Sequence, residues 1–305
     1  MHTFDYMTNL LYNHKKRKGE KVMKRKTKKR LIRLLITVLL MALTVVGIMV
    51  PHMYIPKISD SLSISSHTSH QPLMVAHRGL SGIAPQNSIP AVEKAIEYGY
   101  DGCEFDIHTT KDGKWVVIHN DTVDAMTDGE GEVSSFTLEE IRKLKLDSGN
   151  GIENYESLQV PTLEEVLEII SGSKIIPVIE LKNCDVKYLP SLKRMLKKYG
   201  LNERAEIISF NREYLEAYRK LDKDAEMMLL TKVITEDDVN WCSENDVDTI
   251  NFLYINFAKS IKGYRLARQK GLRLCAWTVD NTVYKDVMVL FGIEGITTNK
   301  LILSE

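Results

Sequence analysis

The chain has 305 residues with 41 Lys and Arg against 41 Asp and Glu, and this neutral sum hides two opposed regions. Residues 1–33 hold twelve basic and two acidic side chains, a local balance of +10, which leaves −10 on the remainder. An acidic remainder argues against nucleic acid as its substrate, because a phosphate backbone needs a basic footprint. It leaves small anions open wherever a bound cation supplies positive charge locally.

The basic run from Lys15 to Arg33 leads into an uncharged stretch, Leu34 to Val50. Seventeen residues rise ~25 Å as a helix, near the lower limit for crossing the hydrocarbon core. Leu31 and Ile32 extend it, and Arg33 can snorkel to the headgroups. Basic residues on the N-terminal flank place that side in the cytoplasm. The expectation is a single-pass anchor in the cell membrane with the C-terminal part extracytoplasmic. A cleaved signal peptide is the competing reading; it calls for a shorter apolar core and a small-x-small cleavage site, and none is obvious before Pro51. Residues 51–71, with Ser61, Ser63, Ser65, Ser66 and Ser69, read as a polar tether. The expected organisation is a basic segment 1–33, a transmembrane anchor 34–50, a tether 51–71 and a folded domain 72–305.

From Pro72 onward, β-rich runs alternate with amphipathic helical stretches. The expected strands are Leu73–His77, Gly102–Ile107, Ile175–Leu181, Ala205–Ser209, Ala225–Leu230, Asp248–Leu253, Leu272–Thr278 and Glu294–Thr298. Helical candidates include Ser88–Tyr98, Thr162–Ser171, Tyr188–Tyr199, Arg212–Leu221, Ala258–Lys270 and Val283–Phe291. Gly99, Gly200, Gly271 and Gly292 follow helical runs as C-terminal stops, and Thr162 before Glu164 and Glu165 reads as an N-cap. Eight strand–helix units point to an α/β fold, a (β/α)8 TIM barrel; an open doubly wound sheet is the alternative, and no Gly-rich dinucleotide or Walker sequence favours it. Cys103, Cys184, Cys242 and Cys275 have no Cys-x-x-Cys spacing, so free thiols are expected rather than a disulfide framework or a zinc site.

One piece breaks the alternation. Asp112-Gly113 separates two β-rich runs, so Trp115–His119 reads as an antiparallel return strand, a β-hairpin extension after the second strand. A two-residue turn at Asp112-Gly113 would put His119 directly opposite Asp106. Residues i and i+2 of a strand share a face, so Glu104 and Asp106 point the same way. His77 ends the first strand and Glu180 lies near the end of the third. All five would meet at the C-terminal rim, where barrel active sites form. Three facing carboxylates repel unless a cation sits among them, and hard oxygen donors suit Ca²⁺ or Mg²⁺ better than zinc. Two histidines beside such a site are more naturally an acid and a base than ligands.

The residues Val75-Ala-His-Arg-Gly79, Pro85-Gln-Asn-Ser88, Gly102-Cys-Glu-Phe-Asp-Ile-His-Thr-Thr-Lys-Asp-Gly113 and Val116-Val-Ile-His119 resemble the glycerophosphodiester phosphodiesterase family in order and spacing. Val178-Ile-Glu-Leu-Lys182, Ile208-Ser-Phe210, Ala276-Trp-Thr-Val279 and Gly295-Ile-Thr-Thr-Asn299 continue the likeness, which covers about residues 72–300. The resemblance implies a barrel enzyme that uses a divalent cation to hydrolyse a glycerophosphodiester to glycerol phosphate and an alcohol. It implies His77 and His119 as the acid–base pair, and Glu104, Asp106 and Glu180 as metal ligands. Arg78 and Lys182 match phosphate-holding positions, and Trp277 one lining the substrate pocket. The chain departs from the family pattern at Gln86, commonly Glu, and at Asn120, commonly Asp. It departs again at Ala125-Met126, often Arg-Thr, and at Lys300, commonly Pro; these bear on substrate choice and rate. Two other functions fit the same residues: a lysophospholipase- or sphingomyelinase-like phosphodiesterase of the same barrel type, or a membrane-tethered binding protein without turnover.

Overall fold

The computed structural model describes residues 71–302. Segments 1–33 and 34–50 and nearly all of the tether lie outside them, so the expected anchor is not represented. Among the described residues no helix is long and apolar enough to cross a membrane.

Eight strands run parallel and close on themselves. In chain order they are β1 (Leu73–Ala76), β2 (Gly102–Thr109), β6 (Ile176–Leu181), β7 (Glu206–Ser209), β8 (Glu226–Thr231), β9 (Thr249–Leu253), β10 (Arg273–Trp277) and β11 (Gly295–Thr298). Each pairs with the next, and β11 returns to β1, which also pairs with β2. Helices Ile89–Glu97, Leu163–Ser171, Leu189–Lys198, Arg212–Leu221, Glu236–Glu244, Phe257–Gln269 and Thr282–Leu290 fill the connections. This is the expected (β/α)8 barrel. Helix Glu236–Glu244 goes beyond the sequence reading; it buries only Asp238, Val239 and Cys242, too narrow an apolar stripe to announce itself.

Alternation along the strands sorts side chains between the barrel interior and the helical layer. Val75, Val178, Ile208, Met228 and Leu230 pack together, with Cys275 and Trp277 against them. Gly102 keeps that interior tight: a Cβ there would lie 3.1 Å from the Val75 side chain. Helix Leu163–Ser171 starts with a full capping box. Thr162 accepts from the Glu165 N–H, and the Glu165 carboxylate accepts from the Thr162 N–H at 2.8 Å.

The return strand is β3 (Trp115–Val117), antiparallel to β2. Its register differs from expectation by one residue. Thr109 faces Trp115 and Ile107 faces Val117, and the Ile118 N–H donates to the Asp106 carbonyl at 3.0 Å. The turn is a three-residue loop, Lys111–Gly113, closed by the Thr110 N–H on the Lys114 carbonyl at 2.8 Å and by Gly113 at φ +70°. A type I turn followed by a left-handed residue takes one residue more than the two-residue turn assumed from Asp-Gly. His119 therefore lies one place beyond the position opposite Asp106.

Residues 121–160 form a rim insertion with no counterpart in the sequence reading. Short strands β4 (Lys145–Leu146) and β5 (Leu158–Gln159) pair antiparallel, and helix Leu138–Ile141 packs beside them. Ile118, Val123, Met126, Val133, Ile141 and Val160 make its own apolar core.

Candidate active site

β2 is buried along its whole length, so its two acids are held where water does not reach freely. Parallel pairing puts Glu180 of β6 level with Asp106. Glu104, Asp106 and Glu180 each offer a carboxylate oxygen, and these oxygens lie within 4.8 Å of one another. One oxygen of Glu104 (Oε1) and one of Asp106 (Oδ1) are buried without any hydrogen-bond partner. Buried charged oxygens are costly when unpaired, so two of them facing a third carboxylate fit a hard divalent cation held by all three.

The remaining oxygens are fixed. The loop after β1 turns sharply, with Arg78 at φ +57° and Gly79 at φ +70°. That turn lets the Arg78 N–H donate to Glu104 Oε2 at 2.7 Å and the Gly79 N–H to the Glu104 carbonyl at 2.9 Å. A Cβ on Gly79 would lie 2.6 Å from Ala91, so close approach of the following helix also requires glycine. Asn87, at φ +56°, donates from Nδ2 to Asp106 Oδ2 at 2.8 Å and accepts from the Asp106 N–H at 3.1 Å. Sequence reasoning gave Asn87 no role; its place in Pro85-Gln-Asn-Ser88 was the only signal.

The cations crowd the same acids. Lys182 Nζ sits 2.9 Å from Glu180 Oε1 and 3.8 Å from Asp106 Oδ1, and Arg78 Nε lies 3.6 Å from Asp106 Oδ2. Gln86 accepts from the Arg78 guanidinium through its Oε1 and so orients it. Burial, with the negative charge of Asp106 and Glu180, holds Glu104 well above the usual carboxylate range. Burial and Asp106 push Glu180 up to about 8. Asp106 goes the other way: burial opposes its charge, but His119, Arg78, Lys182 and the Asn87 hydrogen bond together outweigh burial and lower it. Two raised acids beside one lowered acid form a site that takes protons when no other cation is present.

The histidines flank this cluster. His77 Nδ1 is 2.7 Å from Asn299 Oδ1, and its Nε2 lies 3.9 Å from Glu104 Oε2. Asn299 in turn donates from Nδ2 to Asp280 Oδ2 at 2.8 Å and from its N–H to Asp280 Oδ1 at 2.8 Å, while Ser81 Oγ donates to its Oδ1. That network turns the amide oxygen toward the ring, so Nδ1 carries the proton and Nε2 keeps its lone pair. Burial and Arg78 lower His77 to about 4, so the ring is neutral near pH 7. His119 Nδ1 sits 2.6 Å from Asn120 Oδ1, and its carbonyl meets the buried His108 Nε2 at 3.3 Å. Burial lowers His119 too, while Asp106 raises it in part compensation. Neither Asn299, Asp280 nor His108 stood out as functional in the sequence.

A cavity of about 280 Å³ brings together His77, His119, Glu104, Glu180, Lys182 and Trp277, with Ile208, Phe210 and Leu230 as apolar wall. Trp277 meets Phe210 edge to face at 5.6 Å and donates to the Asn251 carbonyl at 3.2 Å. A second, more open cavity of about 790 Å³ shares His77 and Arg78 and runs out past Gln86, Asn150 and Asp280. The two meet at the histidine–arginine pair, so a diester seated there would send one substituent into each. All eight expected site residues converge on this rim.

Fold and site together define a (β/α)8-barrel hydrolase with an acidic, cation-ready rim between two histidines. The model of the glycerophosphoryl diester phosphodiesterase family matches residues 77–303, and the chain belongs to that family. It is 36% identical to a glycerophosphodiester phosphodiesterase of Caldanaerobacter subterraneus subsp. tengcongensis over 232 residues, 74% of this chain and 93% of the relative. It is 34% identical to one from Bacillus altitudinis over 235 residues, 73% of this chain and 93% of that protein. Among solved structures, a phosphodiesterase of Oleispira antarctica in complex with the product sn-glycerol-3-phosphate superposes with a TM-score of 0.66 at 24% identity. It covers 75% of this chain and 93% of its own. A glycerophosphodiester phosphodiesterase from Parabacteroides distasonis superposes with a TM-score of 0.64 at 26% identity, covering 75% of this chain and 94% of its own.

Proposed function

We propose that this protein hydrolyses glycerophosphodiesters to glycerol phosphate and an alcohol, with a divalent cation and a two-histidine acid–base pair. The observation that carries the reading is the pair of orphaned carboxylate oxygens, Glu104 Oε1 and Asp106 Oδ1, beside Glu180 and between His77 and His119. Glu104, Asp106 and Glu180 would hold Ca²⁺ or Mg²⁺, which supplies charge neutralisation for the phosphoryl oxygens and lowers the barrier to attack at phosphorus.

The chain's own residues do the rest. Arg78 and Lys182 hold the phosphoryl oxygens as negative charge builds on them. Neutral His77, with Nε2 unprotonated, takes the proton of the glycerol hydroxyl next to the phosphoester. That oxygen attacks phosphorus, a cyclic phosphate forms, and the bond to the alcohol breaks. His119, which burial lowers and Asp106 raises in part, gives its proton to the departing oxygen. Water then opens the ring with the proton transfers reversed, leaving glycerol phosphate. Trp277 and Phe210 form the apolar wall against which the carbon skeleton lies.

The uncharged run 34–50 behind a strongly basic flank supports a further part of the reading. The enzyme would be held at the cell membrane with its barrel on the extracytoplasmic side. Full-length protein, stripped of metal and resupplied with Ca²⁺ or Mg²⁺, tests the reaction by release of glycerol phosphate from glycerophosphocholine and glycerophosphoglycerol. Activity that needs the metal and is lost in His77→Ala and Glu104→Ala is expected. A folded, metal-loaded protein that turns over neither substrate would overturn the proposal.

A further inference from the structure

The opposite end of the barrel holds a third cavity, of about 530 Å³, within the range of about 300–1,000 Å³ that small-molecule sites occupy. It lies at the N-terminal ends of the strands: Leu73 opens β1, Glu206 opens β7, Arg273 opens β10 and Gly295 opens β11, and all four line it. Its walls are mostly apolar, from Val75, Met228, Val289 and Ile293, with Tyr264 and Phe291 at one side. The Tyr264 hydroxyl is already spent on the Phe291 carbonyl at 2.6 Å.

One side chain has no place in such a wall. Glu206 is 7% exposed and lies two residues before Ile208 on the inward face of β7. Among the described residues it makes no hydrogen bond and no ion pair. The cations nearby are committed elsewhere. Arg273 pairs with Glu226 at 2.8 Å and reaches Asp248 at 3.6 Å, and Arg268 pairs with Glu294 at 3.1 Å. Two arginines thus face four carboxylates, and the carboxylate left over is the buried one. A buried carboxylate is stabilised by a proton or by a cation brought to it.

We propose that this floor cavity is a second binding site, for a small organic monocation whose ammonium group pairs with Glu206 while its apolar body lies against Met228, Val289 and Ile293. Burial is the main influence that pushes the Glu206 carboxyl up to about 7, with Glu226 and Asp248 adding to it against Arg273. An incoming ammonium group would meet a carboxylate that no neighbouring side chain bonds, at the wall of a mostly apolar cavity. The site is at the far end of the barrel from His77 and His119, so its occupant does not compete with substrate for space.

Calorimetric titration of the full-length protein with benzylammonium at pH 8, where Glu206 is largely ionised, tests this directly. Benzyl alcohol serves as the neutral analogue of similar shape. One-to-one saturable binding of benzylammonium is expected, with benzyl alcohol at least tenfold weaker. Glu206→Gln and, independently, Val289→Trp, which adds bulk to the cavity wall from helix Thr282–Leu290 and leaves the carboxylate in place, should each weaken the cation at least tenfold. Glu180→Gln, in the rim site, should leave it unchanged. The proposal is overturned by any one of three results: no saturable binding to the wild-type protein, equal binding of the alcohol, or a loss that follows Glu180→Gln instead of the floor variants. Should Glu206→Gln not fold, Val289→Trp decides alone.

Discussion

The chain Asp280–Asn299–His77 sets the tautomer of the histidine proposed as the base, and Asp280→Ala probes it at a distance: Asp280 bonds the Asn299 amide and N–H and the Thr298 hydroxyl, not the acids or the ring. In the native site the Asn299 amide cannot rotate without giving up its 2.8 Å bond to Asp280. With Asp280 gone, the amide is free to present nitrogen to His77, which then holds its proton on Nε2 and loses the base. The magnitude follows from the 2.7 Å bond at Nδ1. A neutral hydrogen bond is worth about 1 kcal/mol net and one to a charged group about 1.5–3 kcal/mol, so the imidazolium formed on proton transfer gains on the order of 1–2 kcal/mol over the resting ring. That difference corresponds to a fall of roughly 5- to 30-fold in kcat/KM. Glycerol phosphate release gives the rate, and ¹⁵N chemical shifts of His77 report the tautomer separately from stability. A slower Asp280→Ala enzyme with a shifted His77 tautomer is expected. Unchanged shifts and an unchanged rate would refute the argument, and a slower enzyme with an unchanged tautomer would place the effect in packing.

Two further predictions rest on single residues. Asn87→Gly removes both bonds to Asp106 while keeping a backbone at φ +56° that glycine tolerates, so divalent-cation affinity should drop about 10- to 100-fold in calorimetry with little loss of fold. Affinity equal to wild type would mean that Asp106 is held in place without Asn87. Glu206 gives the pH prediction. Its folded pKa of about 7 exceeds its unfolded value, so the folded state binds this proton more tightly. The stability this proton provides is complete below the unfolded pKa and is lost as pH rises through 7. Without added ligand, Glu206→Gln should flatten that fall and gain up to on the order of 3 kcal/mol at pH 8 in urea unfolding. A variant whose pH dependence parallels the wild type would show the carboxyl to be solvated in the fold.

What could be read from the sequence was what depends on short range. Glu104 and Asp106 share a face because strands have a period of two, and Glu180 joins them because β2 and β6 are neighbouring parallel strands of similar depth. The barrel itself followed from eight repetitions of one unit. The hairpin register did not follow, since Asp-Gly serves a two-residue turn and a three-residue loop alike, and only the Thr110–Lys114 closure distinguishes them. The rim insertion between residues 121 and 160 was equally hidden. Its strands are two residues long, and its stability comes from the cluster around Val123 and Ile141 rather than from local periodicity.

Asn299, Asn87 and His108 each act through a partner outside their own element. Asn299 meets His77 across 222 residues because β11 closes the barrel onto β1. Asn87 reaches Asp106 from a loop after β1 that takes left-handed backbone at Arg78, Gly79 and Asn87 before the helix begins. Glu206 is the inverse case. In the run Ala205–Ser209 it looks like the ordinary polar member of an alternating strand, and nothing nearby says that its face is the barrel interior. The polar positions that matter at both ends of this barrel are therefore set by closure. The first and last strands of the chain must pair before the His77 ring is oriented, so variants that loosen the β1–β11 seam should free the His77–Asn299 contact before they separate Asp106 from Glu180, which the β2–β6 pairing sets level.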